Sequence, residues 1–512
     1  MHEVVLVLDL GSQYSQLIAR RVRQLGVYCE VVPAGTRWDE LARSNPKAII
    51  LSGGPASVLD PDSVTVDARI LDCGLPMLGI CYGMQLIARL LGGTVLRSQV
   101  REYGPVLLEV DDPDELFAGC GVMLDVWMSH GDRVDTLPPG FMALAHTEEC
   151  PIAAMGSSKR RIYGVQFHPE VAHTPKGTDI FRNFLFRIAR CSGAWSMHGF
   201  IDRAVHGIRQ QVGDSLVMCA LSGGVDSAVT AALLRHAVGE RAICVFVDNG
   251  LLRKGEAEYV QNLFSSEYPV NLHFVDASKR FLEALQGVTD PEAKRKVIGR
   301  TFIEVFREEA NQIGGIRFLA QGTLYPDVIE SRSAFGGPSA TIKSHHNVGG
   351  LPEDLGFELV EPLRELLKDE VRELGRELGL PDTLLQRQPF PGPGLAVRII
   401  GEVTEERLRL LRDADALVLE ELRAYEGFSD IWQSFAVLLP VRSVGVMGDG
   451  RTYANVVALR IVTSTDAMTA DWARVPYEVL GRISSRIINE VQGVNRVVYD
   501  ISPKPPSTIE WE

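Results

Sequence analysis

The feature that most limits the fold is a recurrent junction, in which a short apolar run stops at a turn and an amphipathic stretch follows. Val4–Leu8 precedes an amphipathic stretch from Tyr14 to Leu25, and Ala48–Leu51 ends in Ser52-Gly53-Gly54-Pro55. Met77–Ile80 passes through Cys81 into Met84–Leu91, whose apolar residues recur at helical spacing. Ser215–Leu221 passes through Ser222-Gly223-Gly224-Val225-Asp226-Ser227 into a helical pattern that ends near Leu234, and Ala242–Val247 ends at Asp248-Asn249-Gly250. Strand and helix in alternation require crossover connections, so the strands should lie mostly parallel with helices on both faces. A chain of 512 residues is also too long for one hydrophobic core. The alternation is interrupted by the small and polar residues of Arg190–Ser196 and by Pro389-Phe390-Pro391-Gly392-Pro393-Gly394, which cannot continue a regular element. Beyond the second break come a long charged helix near Glu405–Ala424, strands near Phe435–Pro440 and Val456–Ile461, a further helix, and Arg496–Ile501. The predicted fold class is α/β: two doubly wound, mostly parallel-sheet domains over residues 1–192 and 193–394, then a small α+β domain over 395–512.

Composition narrows the function. The formal charge of −14 argues against nucleic acid or an anionic membrane as a partner. Local clusters such as Lys294-Arg295-Lys296 remain able to bind a phosphate. Eight cysteines without a CxxC pair suit a reducing compartment. Val4–Leu8 reads as a buried strand with no basic segment before it, and no apolar run approaches the roughly 18 residues that cross a bilayer. The expected location is the cytoplasm.

Cys81 lies in Gly79-Ile80-Cys81-Tyr82-Gly83, between a strand and a helix. Small residues two positions to either side permit the sharp turn that lifts a nucleophile clear of a sheet. A helix N-terminus there favours the thiolate. Far downstream, Tyr163-Gly164-Val165-Gln166-Phe167-His168-Pro169-Glu170 places His168 and Glu170 two residues apart, on one face of an extended segment. Glu170 can then accept from one ring nitrogen while the other faces the sulfur. The backbone N–H groups of Gly53, Gly54 and Tyr82 are candidates for an oxyanion site. Taken singly, a cysteine is more often structural, a histidine more often a core or surface residue, and SGGP more often a plain turn. Together these segments resemble the class I glutamine amidotransferases over residues 1–190. The resemblance implies attack of Cys81 on the glutamine amide, with Gln85 and Ser129-His130-Gly131-Asp132 helping to hold glutamine.

Ser222–Ser227 joins a strand to a helix. Glycines let a ligand approach the backbone, hydroxyls donate, and the helix N-terminus favours negative charge. The GxxxxGK[ST] lysine is absent. The pattern resembles the ATP pyrophosphatases, which implies that Ser222, Gly223, Gly224, Val225, Asp226 and Ser227 bind ATP and that Mg²⁺ takes part. Asp226 is either a metal ligand or a helix cap.

Gln321–Ser331, Ile342–Gly350 and the ending Lys504–Glu512 resemble the glutamine-hydrolysing GMP synthetases, so that the likeness spans the chain. It implies a lid carrying Lys343, His345 and His346, and a xanthosine-monophosphate site formed by Arg295, Gln433, Arg496, Lys504, Ile509 and Glu510. It further implies a homodimer that consumes glutamine, ATP and xanthosine monophosphate. An amidotransferase with another adenylated acceptor, such as a carboxylate, and a nucleotide sensor without turnover are the alternatives.

Overall fold

The computed structural model describes residues 3–12, 14–328, 357–447, 450–464 and 469–512. They form two compact units, the first over Met1–Phe200 with a short return from Pro326, the second over Ile201–Tyr325 and the described residues from 357 on. Among the described residues no helix is long and apolar enough to cross a membrane.

The first unit is built on nine strands: β1 (Val4–Asp9), β2 (Tyr28–Pro33), β3 (Ala48–Leu51), β4 (Met77–Ile80), β5 (Thr94–Val110), β6 (Met123–Thr136), β7 (Met142–His146), β8 (Ala154–Ser157) and β9 (Ile162–Val165). They make one sheet in the order β2-β1-β3-β4-β9-β8-β7-β5-β6. Pairing is parallel from β2 to β9 and antiparallel beyond it. Strands β3 and β4 are buried at every residue, as strands covered on both faces must be. Strand β6 instead alternates, so that Leu124, Val126, Met128, His130, Asp132 and Val134 all face inward. The inward face therefore turns from apolar to polar at His130, which brings titratable groups to the end of the sheet where β4 meets its helix.

The second unit holds a parallel sheet of β10 (Leu216–Leu221), β11 (Ala242–Asp248), β12 (Asn271–Asp276), β13 (Ile316–Ala320) and β14 (Glu358–Val360), in the order β12-β11-β10-β13-β14. A separate sheet contains β15 (Gln433–Met447), β16 (Gly450–Thr463), β17 (Asp471–Trp472) and β18 (Val494–Tyr499). In it β16 pairs antiparallel with β15 and β17, and parallel with β18. The helix Glu405–Arg423 starts at Thr404, whose hydroxyl accepts from Arg407 N at 3.3 Å. Leu408, Leu411, Ala414, Val418 and Leu422 form its buried stripe. The stripe packs in a core with Leu438, Leu459, Ile483 and Ile487, and the same core contains Met218, Val245, Leu251 and Leu395. Strands β15 and β16 run well past the expected Phe435–Pro440 and Val456–Ile461. Pro440 falls where the register between them shifts, between Leu438 and Arg442, which spares a residue without an N–H from the ladder.

Lys294, expected to be available to phosphate, is instead fully buried near the start of the helix Pro291–Ile313. Its ammonium donates to Ala396 O at 3.2 Å, Ile399 O at 2.7 Å and Glu512 Oε2 at 2.5 Å. Burial pulls its pKa down against the raising effect of Glu512. Lys294→Met would strand a carboxylate and two carbonyls, and should destabilise the chain by about 3 kcal/mol, read as a lower denaturation midpoint.

Candidate active site

In the first unit the strand-to-helix junction is an elbow. Cys81 precedes the helix Tyr82–Leu90 with φ 51° and ψ −105°, a backbone conformation that a residue with a Cβ adopts only when its surroundings impose it. Those surroundings are specific. Cys81 N donates to Val165 O at 2.7 Å, and Gly83 N donates to Ser52 O at 3.1 Å. A Cβ on Gly83 would lie 2.5 Å from Leu51 O, and one on Gly79 would lie 2.7 Å from the Gly83 carbonyl. Both flanking positions thus require glycine. The Cys81 thiol donates to Ser129 O at 3.7 Å and accepts from Gln166 Nε2 at 3.5 Å.

His168 and Glu170 meet, though not by lying on an extended strand. Strand β9 ends at Val165 and the chain turns at Pro169-Glu170. His168 Nδ1 lies 2.7 Å from Glu170 Oε1, with both residues buried. The backbone is pinned by His168 N donating to Trp127 O at 3.0 Å and by Thr174 Oγ1 donating to His168 O at 2.7 Å. Gly177 opens the next helix, and a Cβ there would lie 1.8 Å from Pro169 O. That close approach was not foreseen from the sequence, where Gly177 looks like any loop glycine. Burial alone pulls the His168 imidazole down. The Glu170 charge and hydrogen bonds with Cys81 and Glu170 outweigh burial and hold its pKa well above the ordinary value.

Gly53 faces both partners: a Cβ on it would lie 3.1 Å from His168 Cε1 and 3.9 Å from Cys81 Cβ. Gly54 packs under Leu10 O and the Tyr82 ring, and Tyr82 O–H donates to Val64 O at 2.7 Å. Gln85 Nε2 donates to Asp132 O at 2.8 Å and to Gln166 Oε1 at 3.2 Å, while the Asp132 carboxylate accepts from Ser57 Oγ. Next to Ser129, His130 Nε2 lies 3.0 Å from Glu102 Oε2, and Thr147 Oγ1 donates to Glu102 Oε1 at 2.9 Å. Burial raises the Glu102 pKa, but these partners more than reverse it. The nearby Cys150 thiol is pushed up to about 12 by burial and the Glu102 charge. Sequence reasoning did not single out Gln166 or Glu102.

In the second unit, Ser222–Ser227 folds as a hydroxyl-laced loop ahead of the helix Val225–Val238. Ser222 N donates to Ser227 Oγ at 3.0 Å, Gly224 N to Ser222 Oγ at 3.3 Å, and Ser227 Oγ to Gly224 O at 3.1 Å. Gly223 takes φ 76°. Two cations missed from the sequence join this loop. Lys368 Nζ donates to both Asp226 oxygens at 2.6 Å, and Arg387 Nη1 donates to Gly223 O at 3.0 Å while pairing with Glu256. Lys368 is the first residue of the helix Lys368–Glu377. A cation at that end opposes the helix dipole and is a legible sign that a partner lies outside the helix.

Some of the C-terminal candidates converge. Gln433 Nε2 donates to Glu510 Oε1 at 2.8 Å, and Arg398 grips both Glu510 oxygens at 3.1 and 2.8 Å. Ile509 is buried with Phe435 and Val437. Arg295 donates to Glu512 O at 2.5 Å. Lys504 pairs through its backbone with Ala470, and Arg496 is an exposed residue of β18. Lys343, His345 and His346 lie outside the described residues.

Comparison with known proteins supplies the family context. Residues 6–188 match the model of the class-I glutamine amidotransferases, and residues 420–511 match that of the GMP synthase C terminal domain. The chain is 59% identical to the glutamine-hydrolysing GMP synthase of Thermomicrobium roseum, over 99% of this chain and 96% of that protein. It is 57% identical to that of Carboxydothermus hydrogenoformans over the whole of both chains, and 56% identical to that of Caldanaerobacter subterraneus over 100% and 99%.

The His168–Glu170 pair sets a testable titration. A raised folded-state pKa means that the pair stabilises the fold fully at low pH, below the unfolded imidazole value, and that this is lost as pH rises through the folded value. In Glu170→Gln the Cys81 side chain is left to oppose burial without the Glu170 charge. The His168 midpoint, followed by NMR of its ring, should fall toward or below the ordinary imidazole value.

Proposed function

The chain belongs to the glutamine-hydrolysing GMP synthases, and from that premise we infer that it couples glutamine hydrolysis to the ATP-dependent amination of xanthosine monophosphate. The observation that carries the first half is the Cys81 sulfur, raised on a strained elbow beside Gly53, which also faces the His168 imidazole that Glu170 holds. Cys81 Sγ attacks the glutamine amide carbon. His168 takes the thiol proton and passes it to the departing nitrogen, so that ammonia leaves and a thioester remains. Water, deprotonated by His168, then releases glutamate and restores the thiol. Backbone N–H groups of Tyr82 and of Gly53-Gly54 stabilise the oxyanion in both steps. Gln85 and the Ser129–Asp132 segment line the glutamine site.

In the second half, Ser222–Ser227 holds the ATP phosphates on backbone and hydroxyl donors at a helix N-terminus. Oxygen O2 of xanthosine monophosphate attacks the α-phosphorus and pyrophosphate leaves. Ammonia then adds at C2, and AMP departs with that oxygen to give GMP. Arg295, Gln433, Arg496, Lys504, Ile509 and Glu510 are assigned to the xanthosine-monophosphate site, with Lys343, His345 and His346 as its lid. One carboxylate plus substrate phosphates is a donor set that Mg²⁺ commonly takes, and Asp226 presents that carboxylate beside the loop. Asp226 would hold the ion, whose chemistry is neutralisation of the phosphates. The reading carries with it a partition at residues 1–192, 193–394 and 395–512, a homodimer, and a cytoplasmic location.

A coupled assay with glutamine, ATP, Mg²⁺ and xanthosine monophosphate should yield GMP, AMP and pyrophosphate in equal amounts. Cys81→Ala should lower glutamine-dependent GMP formation about a thousandfold or more, and added ammonia should restore it. Glutamate release that yields product only with another acceptor would overturn the assignment of the C-terminal residues.

A further inference from the structure

We propose that Gln166 is a catalytic residue of the glutaminase half-reaction, its side-chain amide donating a hydrogen bond that stabilises Cys81 as the thiolate. The proposal rests on the reading of Cys81 as the nucleophile. Gln166 directly follows β9 and is fully buried, and its Nε2 lies 3.5 Å from the Cys81 sulfur. A terminal amide has two faces that differ only in exchanging nitrogen for oxygen, so its orientation has to be fixed by its partners. Here a backbone carbonyl fixes it. Asp132 O can only accept, so the Gln85 atom 2.8 Å away is the amide nitrogen. The second hydrogen of that nitrogen reaches Gln166 at 3.2 Å, which makes the atom there the oxygen. The Gln166 nitrogen is left to face the sulfur. Turning over either amide would set donor against donor or acceptor against acceptor.

The chemical need for such a donor is visible in the same site. The thiol donates to Ser129 O at 3.7 Å, so a sulfur that has lost its proton is left against a carbonyl oxygen that repels it. Burial further disfavours the charge. The ionisable groups on the surrounding elements are His168 with Glu170, Asp132 with its carboxylate bonded to Ser57, His130 with Glu102, and the Cys150 thiol. Of these His168 is the group that exchanges a proton with the sulfur, and it gives up its positive charge when it passes that proton to the leaving nitrogen. Gln166 is a donor whose protonation does not vary with pH. Its bond strengthens when the sulfur becomes anionic, which is the condition for attack. The relay Asp132 O, Gln85, Gln166, Sγ also joins the segment assigned to glutamine binding to the nucleophile itself.

The test reads the thiol directly. The rate at which iodoacetamide alkylates Cys81 is measured against pH, with mass-spectrometric mapping of its peptide to separate it from the other cysteines. Gln166→Met keeps the length and removes the donor, and should raise the midpoint by about one to two pH units, the worth of a hydrogen bond to a charged group. Gln166→Glu, which replaces the donor by an anion, should raise it further. Gln85→Leu leaves Gln166 in place but frees its amide to turn, and should move the midpoint in the same direction by less. A midpoint unmoved in Gln166→Met overturns the proposal even if glutamine turnover falls, since packing alone would produce that. Should Gln166→Met fail to fold, an unmoved midpoint in Gln85→Leu overturns it equally. Retention of glutamine turnover in Cys81→Ala would instead remove the nucleophile reading beneath it.

Discussion

Everything in the first unit that could act on a substrate depends on one strained residue. Cys81 holds a backbone conformation costing on the order of 1–3 kcal/mol, and the parallel half of the sheet imposes it. Strand β9 fixes its N–H, the loop after β3 fixes the N–H of Gly83, and glycines at 79 and 83 allow chain segments to approach where a methyl would collide. The elbow is therefore a property of three strands together. The apolar runs Ala48–Leu51, Met77–Ile80 and Ile162–Val165 matter to the chemistry as much as the sulfur does, because they hold the sulfur off the sheet.

The second unit solves a different problem by a related device. Arg398, Arg460 and Lys294 are fully buried cations, and each is used to fasten the last residues of the chain. Arg460 donates to Ser502 O, Thr508 O and Ile509 O, Arg398 holds the Glu510 carboxylate, and Lys294 holds that of Glu512. Arg398 also lies over the Phe435 ring at 4.0 Å, so its charge is offset by an aromatic face as well as by a carboxylate. A segment of this composition would ordinarily fray. Here desolvated charges that have few other partners hold it in a defined place.

The parallel strands were legible because buried strands write themselves as uninterrupted apolar runs: Ala48–Leu51 and Met77–Ile80 were placed to the residue, and Ser215–Leu221 to within one. The antiparallel extension was not. Strand β5 contains Gly104-Pro105, which reads as a turn, and β6 alternates apolar with charged residues that become ordinary only once β5 lies beside it. The motifs around Cys81 and Ser222 were visible because glycine at a tight junction has few other uses. Gln166 and Arg387 were not, since neither carries a local signal of the distant group it meets, and Lys368, at the unfavourable end of its helix, signals that a partner exists but not which. The relay from residue 132 through 85 and 166 to one sulfur is a product of topology and is absent from any window of sequence.

The Lys368–Asp226 pair gives the loop of the second unit a property that neither residue has alone. Each carboxylate oxygen already accepts from Lys368, so a ligand for either residue competes with the pair. A cation that took Asp226 would release Lys368 to an anion, and an anion that took Lys368 would release Asp226 to a cation. Each ligand would then lower the cost of admitting the other, and thermodynamic linkage would make the two effects equal. The internal ion pair would thus favour joint entry: a lone cation or a lone anion competes with a standing bond, while the two together trade one pair for two.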